Sequence, residues 1–462
     1  MTLRRLVGAT LTATAAALIW AGSLHAAPDG PGHDGFFDDP SVVAFTIRAP
    51  LADLFSRGAQ DEQFSVPATV TLDGAATALG SAALSVRGNT SRRECPFPKL
   101  KLEFDHRSEG GPFARLHTVR IGTHCGDVPG EQLTADFGRL PNEHSPWREG
   151  LVYRMLHAAG VLTSRARPAR ITYIDTSANG TIVPSPLSRN ALIVEDDDDL
   201  KQRLDATARI EPADFTSARD LFNAADTARV AFGEAMIGNF DWCLQLTPDD
   251  HYRCDARKKL WNVVALRVGN GALPVLQDFD LAGTVTGRHI WFDRVFPRRF
   301  TDSPIDTEVI AQVQRTRSLF PRALLDATRQ AFLSRRADVE RAIATAKVDA
   351  HGAGLARAYA GAFYNAIGTD RDFYRPVVAR AGVRIFTTAD GATQACGTGE
   401  TVPIGTPFQE LRRDADRAQV QLLDVMWRWA PPTECEPVHA HPVWIDASSI
   451  SSDYPPGRSN EP

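Results

Sequence analysis

The hydrophobic periodicity of this chain changes along its length, and this change limits the folds that it can adopt. From residue 43 to about residue 195, short segments such as KLKLEF alternate in the way that is typical of strands. From Asp214 to residue 367, apolar residues recur mainly at helical spacing. After Phe373, short strand-like segments return with turn residues between them. The order predicts an α+β protein that ends in a small all-β unit over residues 372–450.

Length and composition place the chain among folded globular proteins. At 462 residues it exceeds one ordinary core, so we expect about two or three domains. It is 43% hydrophobic and 23% charged, and its net charge is −5. No dense cluster of Lys and Arg is present, which argues against a nucleic-acid partner. The composition of residues 451–462 predicts a disordered tail.

The first residues have the pattern of a secretory signal peptide. Arg4 and Arg5 precede an apolar stretch, and small residues follow it up to Ala27. Gly, Thr and Ala dilute the apolar stretch, which favours a cleaved signal over a membrane anchor. We therefore expect a signal peptide over residues 1–26 and a flexible lead-in over residues 27–42. The mature protein would be secreted or periplasmic, with no membrane span.

The six cysteines favour disulfide bonds, because their number is even, the chain carries an export signal and no Cys-x-x-C sequence is present. The pairing that keeps each bridge inside one predicted subdomain is sequential: Cys95–Cys125, Cys243–Cys254 and Cys396–Cys435. The sequence does not fix the connectivity, so other pairings stay open.

Several segments occur together in an order that matches a known family. They are RGNTSRRECPFPKLKLEF, WREGLVYRMLHAAG, ARITYID, NALIVEDDDDL, AMIGNFDW and LQDFDLAG. As a set they resemble the CotH-type kinase family, in particular its exported and uncharacterised bacterial branch, over about residues 43–345. The terminal unit, through IGTPFQEL and HPVWIDASSI, resembles a bacterial SH3-like domain. The resemblance implies an atypical protein-kinase-like two-lobed domain over residues 43–367, followed by a small SH3-like barrel.

The resemblance also implies a reaction, in which the γ-phosphate of ATP passes to a hydroxyl of a protein or small molecule with the help of Mg²⁺. Such chemistry needs a cation on the phosphates, a helix carboxylate that orients this cation, and aspartates at the acceptor and the metal. Asp241, in the Gly-Asn-x-Asp motif, and Asp278, in the Asp-Phe-Asp motif, match the catalytic positions. Asp278 and Asp280 match the metal position. The cofactor-binding residues implied in the same way are Lys99 or Lys101, Arg87 and Glu149.

The chain departs from the protein-kinase pattern near Asp241. Protein kinases place a metal-binding Asn five residues after the catalytic Asp, and this chain has Leu246 there. Related members often have a later His-Asn pair, and this chain reads His251-Tyr252. The substitutes that the sequence offers for the missing ligand are Asp249, Asp250 and His251. No Gly-x-Gly-x-x-Gly sequence is present to cover the phosphates.

Alternatives to catalysis therefore stay open. The chain could be a catalytically inactive kinase-fold and SH3-like protein that binds a cell-wall or peptide ligand at the cell envelope, or a secreted scaffold held by disulfides. The candidate residues have structural interpretations too. The aspartates could cap helices or pair with arginines, Lys99 and Lys101 share one face of a strand that could be solvated, Glu149 could lie on the surface at a helix start, and Arg87 could stabilise a turn.

Overall fold

The structure is a computed structural model. It describes residues 35–73, 78–105, 113, 116–178, 185–245, 259–287, 305–317, 319–378, 383–392, 408–422 and 442–452. These residues form both helices and strands, so the α+β prediction is confirmed. No helix in these ranges is long and apolar enough to span a membrane. Several predicted features lie outside the described residues: the signal peptide, Leu246, Asp249, Asp250, His251, Tyr252, Cys254, Cys396, Cys435 and residues 453–462.

A closed seven-stranded barrel forms the first part of the chain. Its strands are β1 (Val43–Ala49), β2 (Ser65–Leu72), β3 (Ala78–Val86), β4 (Leu100–Phe104), β5 (Thr118–Gly122), β6 (Ala166–Asp175) and β7 (Leu187–Val194). The strand order is β1-β2-β3-β4-β5-β7-β6, and parallel pairing of β1 with β6 closes the barrel. All other neighbouring strands in it are antiparallel.

Alternation along β4 illustrates how strand residues fill the barrel interior. In β4, Leu100, Leu102 and Phe104 are buried in the barrel core, whereas Lys101 and Glu103 between them are part-exposed. Successive side chains of a strand point to opposite sides, so the basic residues of KLKLEF must face outward. The outward face of the barrel is therefore the side on which this sequence can place a charged site.

Three helices accompany the barrel: α1 (Leu51–Gly58), α2 (Ser91–Glu94) and α3 (Ser145–Ala158). Leu151, Met155 and Leu156 of α3 belong to the larger hydrophobic core, which also includes Leu192 of β7. Helix α3 therefore joins the outside of the barrel to the helical region that follows. Its position explains why a polar residue on α3 can be buried.

The predicted lead-in is anchored where the structure describes it. Phe36 is buried in the barrel core and packs against Phe113, with their ring centroids 5.3 Å apart. Arg167 of β6 donates to the Phe36 carbonyl oxygen at 2.9 Å and pairs with Asp39 at 2.5 Å. Residues 35–42 are therefore held against the barrel and are not a flexible extension of it.

The middle of the chain is mainly helical. Its helices are α4 (Asp197–Arg203), α5 (Phe215–Ala218), α6 (Ala224–Ile237), α7 (Gly283–Thr286), α8 (Ile305–Thr316), α9 (Arg322–Ser334), α10 (Arg336–Ala344), α11 (Ala350–Gly368) and α12 (Asp370–Phe373), with a 3₁₀ turn at Arg219–Leu221. Its strands are β8 (Ala208–Ile210), β9 (Cys243–Leu244), β10 (Leu260–Trp261), β11 (Val263–Val268) and β12 (Gly271–Leu276). They form a two-stranded sheet, β10-β9, and a three-stranded sheet, β12-β11-β8.

The last described unit is built from short strands, as predicted. They are β13 (Val377–Val378), β14 (Phe408–Asp414), β15 (Arg417–Leu422), β16 (Val443–Asp446) and β17 (Ile450–Ser451), with a 3₁₀ turn at Ala447–Ser449. Strands β14, β15 and β16 form one antiparallel sheet, and β13 pairs with β17. Ser451, the first residue of the predicted tail, is thus in a strand.

One predicted disulfide bond is present. Cys95 and Cys125 are bonded, and Phe97 pairs with Cys125 in an isolated antiparallel bridge before β4 and after β5. Cys243 is also disulfide-bonded, and its partner lies outside the described residues. The pairing of Cys95 with Cys125 is therefore confirmed, and the other two pairings stay predictions.

Candidate active site

Lys99 lies at the centre of a group of charged side chains where β4 begins. Its ammonium group forms ion pairs with Asp278 and, at 3.0 Å, with Asp280. The Lys99 side chain is only 9% exposed. Burial lowers the pKa of Lys99, but attraction by Asp278, Asp280 and Glu149 outweighs burial, and the net pKa is raised. Lys99 is therefore a permanent cation that holds two carboxylates of a distant segment.

Asp278 has an unusual backbone conformation. It follows β12 with φ = 65°, in the left-handed region that side chains other than Gly, Asn and Asp rarely adopt. Two side chains of α3 hold the segment in place. The Asp278 N–H donates to the Tyr153 hydroxyl at 3.2 Å, and the Phe279 N–H donates to Glu149 Oε1 at 3.3 Å. Such conformations persist where surrounding contacts impose them, and they cluster at functional sites.

Glu149 is buried, so its interpretation as a surface residue is wrong. Burial raises the pKa of Glu149 to about 7; Lys99 opposes the rise, and Asp280 and Asp278 add to it. The side chain also lies near Lys99 from the α3 side, since both residues line the same two cavities. Glu149 therefore lies between the α3 backbone and the lysine–aspartate group, which consists of Lys99, Asp278 and Asp280. A change in the charge of Glu149 changes the electrostatic interactions of all three.

We expect Glu149→Gln to alter how stability depends on pH. The native pKa of about 7 exceeds the ordinary value of 4.5, so the native state binds the proton more tightly and the wild-type protein loses stability as pH rises between these values. The glutamine stays neutral, and its stability relative to wild type should rise by on the order of 3 kcal/mol over this interval. Denaturant unfolding from pH 4.5 to 8 measures it. A difference that does not vary with pH would contradict this assignment.

Asp241 lies in a separate cage of hydrogen bonds just after α6. Its N–H donates to Asn239 Oδ1 at 2.9 Å, and its Oδ1 accepts from the Trp261 indole N–H at 3.2 Å. Asn262 Nδ2 donates to Asp241 Oδ2 at 3.0 Å and to the Asp241 carbonyl oxygen at 2.5 Å. Burial, followed by repulsion from Asp278 and Asp280, raises the pKa of Asp241. The Asn262 carbonyl oxygen also accepts the Gln277 N–H at 3.3 Å, which places Asp241 near the segment that carries Asp278 and Asp280.

Asp280 is enclosed by two cations. In addition to its ion pair with Lys99, Asp280 accepts a hydrogen bond from Arg139 Nε at 2.9 Å. Arg139 Nη1 in turn donates a hydrogen bond to Glu94 at 2.6 Å. Burial raises the pKa of Asp280, but Lys99 and Arg139 outweigh burial, and the net pKa is lowered. Its side chain is 14% exposed, compared with 32% for Asp278. Asp278 is therefore the more available of the two carboxylates for a ligand.

Arg87 lies in a cavity lined also by Lys99, Arg120, Tyr153 and Asp278. Its guanidinium forms no hydrogen bond or ion pair with the described residues, and burial together with Arg120 lowers its pKa. Arg120 donates hydrogen bonds to other partners. They are Asp197 Oδ1 at 2.6 Å, Gln277 Oε1 at 3.1 Å and the Glu195 carbonyl oxygen at 3.4 Å. Asp278 and Glu149 attract the Arg87 guanidinium, but with no hydrogen bond to the described residues and with Arg120 beside it, Arg87 favours an anionic ligand in this cavity.

Lys101 lies apart from this group. Its ammonium pairs with Glu103 at 2.9 Å, and both side chains are more than one third exposed. Among the described residues it forms no ion pair with the aspartates. The structure thus brings together Arg87, Lys99, Glu149, Asp278 and Asp280, with Asp241 nearby, and it separates the two lysines that the sequence left as alternatives.

The sequence analysis missed the residues that hold these groups. They are Glu94, Arg120, Arg139, Tyr153, Trp261 and Asn262. Tyr153 carried a usable signal, because it follows Glu149 by one helical turn and so faces the same side of α3. Arg139 gave none, since it lies in an irregular segment and meets Asp280 only through the tertiary fold.

Comparison with known proteins gives no assignment of this site. No family model matches the chain, and no curated protein matches its sequence. The fold class and the geometry of the charged group are what the structure establishes, and function has to be argued from them.

Proposed function

We propose that the chain is an exported, CotH-like atypical kinase that transfers the γ-phosphate of ATP to a hydroxyl of a protein or small molecule. The observation that carries the proposal is the convergence of Lys99, Glu149 and Asp278. Lys99 and Asp278 are 179 positions apart in the sequence and form an ion pair. A strand cation, a helix carboxylate and an aspartate after a second strand are the parts that kinase-type phosphoryl transfer needs. In this proposal the barrel and the helical region are the two lobes.

Nucleotide binding would require the charged group to exchange partners. Lys99 holds Asp278 in the structure, and a phosphate oxygen would compete for its ammonium group. Arg87 would add a second positive contact to phosphate. Glu149 would keep the electrostatic balance on the α3 side of Lys99. Asp278, once released by Lys99, would be free to face a cation.

Asp241 would act at the acceptor. Its raised pKa makes it a better base than an ordinary aspartate, and its hydrogen bonds fix its orientation. It would accept the proton of the acceptor hydroxyl while the acceptor oxygen bonds to the γ-phosphorus and the bond from that phosphorus to the ADP oxygen breaks. Mg²⁺, when bound with the nucleotide, would neutralise the charge of the transferred phosphoryl group.

The residues fit a magnesium ion only if it arrives with phosphate. Among the described residues, no group of three His, Cys, Asp or Glu side chains is arranged to hold a metal ion. Mg²⁺ in nucleotide sites is bound through one or two carboxylates and by phosphate oxygens and water, so a full protein cage is not required. The exposure of Asp278 and the poorly neutralised Arg87 meet this requirement, with Asp278 at the metal and Asp280 tied to Lys99 and Arg139.

Calorimetry with a non-hydrolysable ATP analogue tests the proposal. The full chain should bind the analogue more tightly with Mg²⁺ than with EDTA. Asp278→Asn keeps the shape and tolerates the left-handed backbone, and we expect it to lose most of the gain from Mg²⁺, about tenfold or more in affinity. Lys101→Ala is the matched control and should bind as wild type does. Absence of binding at millimolar analogue would overturn the proposal.

Inactive ligand binding is the second candidate, and one observation favours it. Both carboxylate oxygens of Asp241 already accept hydrogen bonds, so a substrate hydroxyl has to share them. In that case the chain would bind nucleotide without transferring phosphate, and its SH3-like unit would bind a cell-wall or peptide ligand at the envelope. Incubation with γ-labelled ATP and hydroxyl acceptors separates the two candidates, because only a kinase would transfer the label to an acceptor.

Export is part of the proposal. A disulfide bond such as Cys95–Cys125 is typical of oxidising compartments, and no described helix spans a membrane. The signal-like start of the chain points the same way. Fractionation of cells that express the full chain should recover it outside the cytoplasm, cleaved near residue 26.

A further inference from the structure

Glu94, the last residue of α2, joins that helix to the irregular segment that precedes α3. Its Oε2 accepts a hydrogen bond from Arg139 Nη1 at 2.6 Å, and its Oε1 accepts the Phe137 N–H at 2.8 Å. Arg139 Nη2 donates to Thr90 Oγ1, just before α2, at 2.8 Å. The Glu94 and Arg139 side chains are only 6% and 8% exposed. Two residues at the ends of α2 therefore hold one side of a buried guanidinium.

The disulfide bond restricts where Glu94 can lie. Helix α2 has four residues, and so short a helix has little stability of its own. Cys95 follows Glu94 directly and is bonded to Cys125, after β5. Cys125 has φ = 62°, a left-handed conformation that surrounding contacts must impose, and its carbonyl oxygen accepts the Phe97 N–H at 3.0 Å. The bond thus ties the end of α2 to the barrel.

The other side of the Arg139 guanidinium faces the lysine–aspartate group. Arg139 Nε donates to Asp280 Oδ2 at 2.9 Å, and the Lys99 ammonium forms its ion pair with the same oxygen at 3.0 Å. Both cysteines line one cavity together with Lys99, Arg139 and Asp280. A buried carboxylate without a cation is strongly unfavourable. Lys99 can therefore turn to another anion only if Arg139 stays on Asp280.

We propose that Glu94, fixed by the neighbouring disulfide bond, is a positioning residue that orients Arg139 on Asp280 and so frees Lys99 for the phosphates of the nucleotide. The inference rests on the proposed function and deepens it. A guanidinium is planar and its donors have fixed directions, so the bonds to Glu94 and Thr90 set the direction of Nε. Because the effect passes through Lys99 and phosphate, it should appear with and without Mg²⁺.

Two substitutions and their combination test this role in the full chain. Glu94→Gln keeps the size of the side chain, one carboxyl-type oxygen and the disulfide bond, and Arg139→Ala removes the guanidinium. The readout is the affinity of the non-hydrolysable ATP analogue, measured by calorimetry with Mg²⁺ and with EDTA. We expect Glu94→Gln to weaken binding about tenfold under both conditions, and Arg139→Ala at least as much. The combination should bind no more weakly than Arg139→Ala alone, because Glu94 acts only through Arg139.

The disulfide bond is tested in the same way. The double substitution Cys95→Ala and Cys125→Ala should weaken binding about tenfold in the wild-type background and have no further effect beside Arg139→Ala. Arg167→Ala is the control, because it removes another arginine of similar burial, which pairs with Asp39 at the start of the barrel. It should lower the melting temperature and leave the affinity unchanged, as a purely structural role would. Thermal melts establish that each variant is folded.

Three results would overturn the inference while the proposed function stands. They are wild-type affinity in Glu94→Gln, a loss by that variant in Mg²⁺ alone, and losses that multiply when Glu94→Gln is combined with Arg139→Ala. A chain without the disulfide bond that binds as wild type does, or that fails to fold, would overturn the part that concerns the bond. If wild type itself binds no analogue, the proposed function has failed, so the wild-type titration distinguishes the two failures.

Discussion

Lys99→Ala should lower the free energy of unfolding by about 3–5 kcal/mol, the usual effect of removing one partner from a buried ion pair. The ammonium group of Lys99 is almost fully enclosed and faces Asp278 and Asp280. Without it, Asp278 loses the only ion pair that it forms among the described residues, and Asp280 keeps only Arg139. Glu149 would lose its main attractive neighbour as well, which raises its pKa further. The variant should also lose affinity for the ATP analogue.

Lys101→Ala is a matched control for this substitution. It removes a lysine two positions along the same strand, and its partner Glu103 is exposed to a similar extent. Exposed ion pairs contribute at most about 1 kcal/mol, so the stability and nucleotide affinity of this variant should stay near wild type. Denaturant unfolding of both variants gives the comparison. Equal losses for the two lysines would show that Lys99 has no special place.

Gly238→Ala should be the second severe substitution, with a loss of about 3 kcal/mol or more from left-handed strain and overpacking together. Gly238 ends α6 with φ = 64°, and its carbonyl oxygen accepts the Gly283 N–H at 3.0 Å. A methyl group there would lie 2.1 Å from Tyr359 Cε1 on α11. Because Asp241 follows three residues later, relief of this clash should also displace the Asp241 cage.

Gly269→Ala isolates the contribution of the backbone. Gly269 also has a left-handed φ, 54°, but a methyl group there meets nothing within 4 Å. This variant should lose only about 1–2 kcal/mol and keep the nucleotide affinity of wild type. Unfolding curves and titrations of the two glycine variants provide the test. If Gly238→Ala is as mild as Gly269→Ala, Tyr359 does not close tightly on the end of α6.

The strands of the barrel, although not its closure, could be predicted from sequence because they obey a local rule. Alternation in KLKLEF assigns Leu100 and Leu102 to the interior and both lysines to the outside, as the structure has them. The same rule could not choose between the lysines, since residues two positions apart share a face. Lys99 is a buried cation because Asp278, which is distant in the sequence, pairs with it in the tertiary fold. Lys101 pairs with Glu103 instead and stays exposed.

The site could be predicted only where motifs carried it. Asp241 and Asp278 stood out because they lie in the Gly-Asn-x-Asp and Asp-Phe-Asp motifs. Glu149 could have been a surface residue at a helix start, but it is buried and accepts the Phe279 N–H. Asn262 has no local signal at all. Its contact with Asp241 depends on where β10 and β11 lie relative to the end of α6. Residues that act through tertiary contacts leave no periodicity for a sequence to show.

The most direct test of the central claim is a crystal structure of the full chain with Mn²⁺ and the non-hydrolysable ATP analogue. We expect an anomalous peak beside Asp278, with the Lys99 ammonium moved from Asp278 to a phosphate oxygen. Asp280 should stay with Arg139. An analogue bound elsewhere on the chain, or a Lys99–Asp278 ion pair that is intact beside bound nucleotide, would contradict the claim.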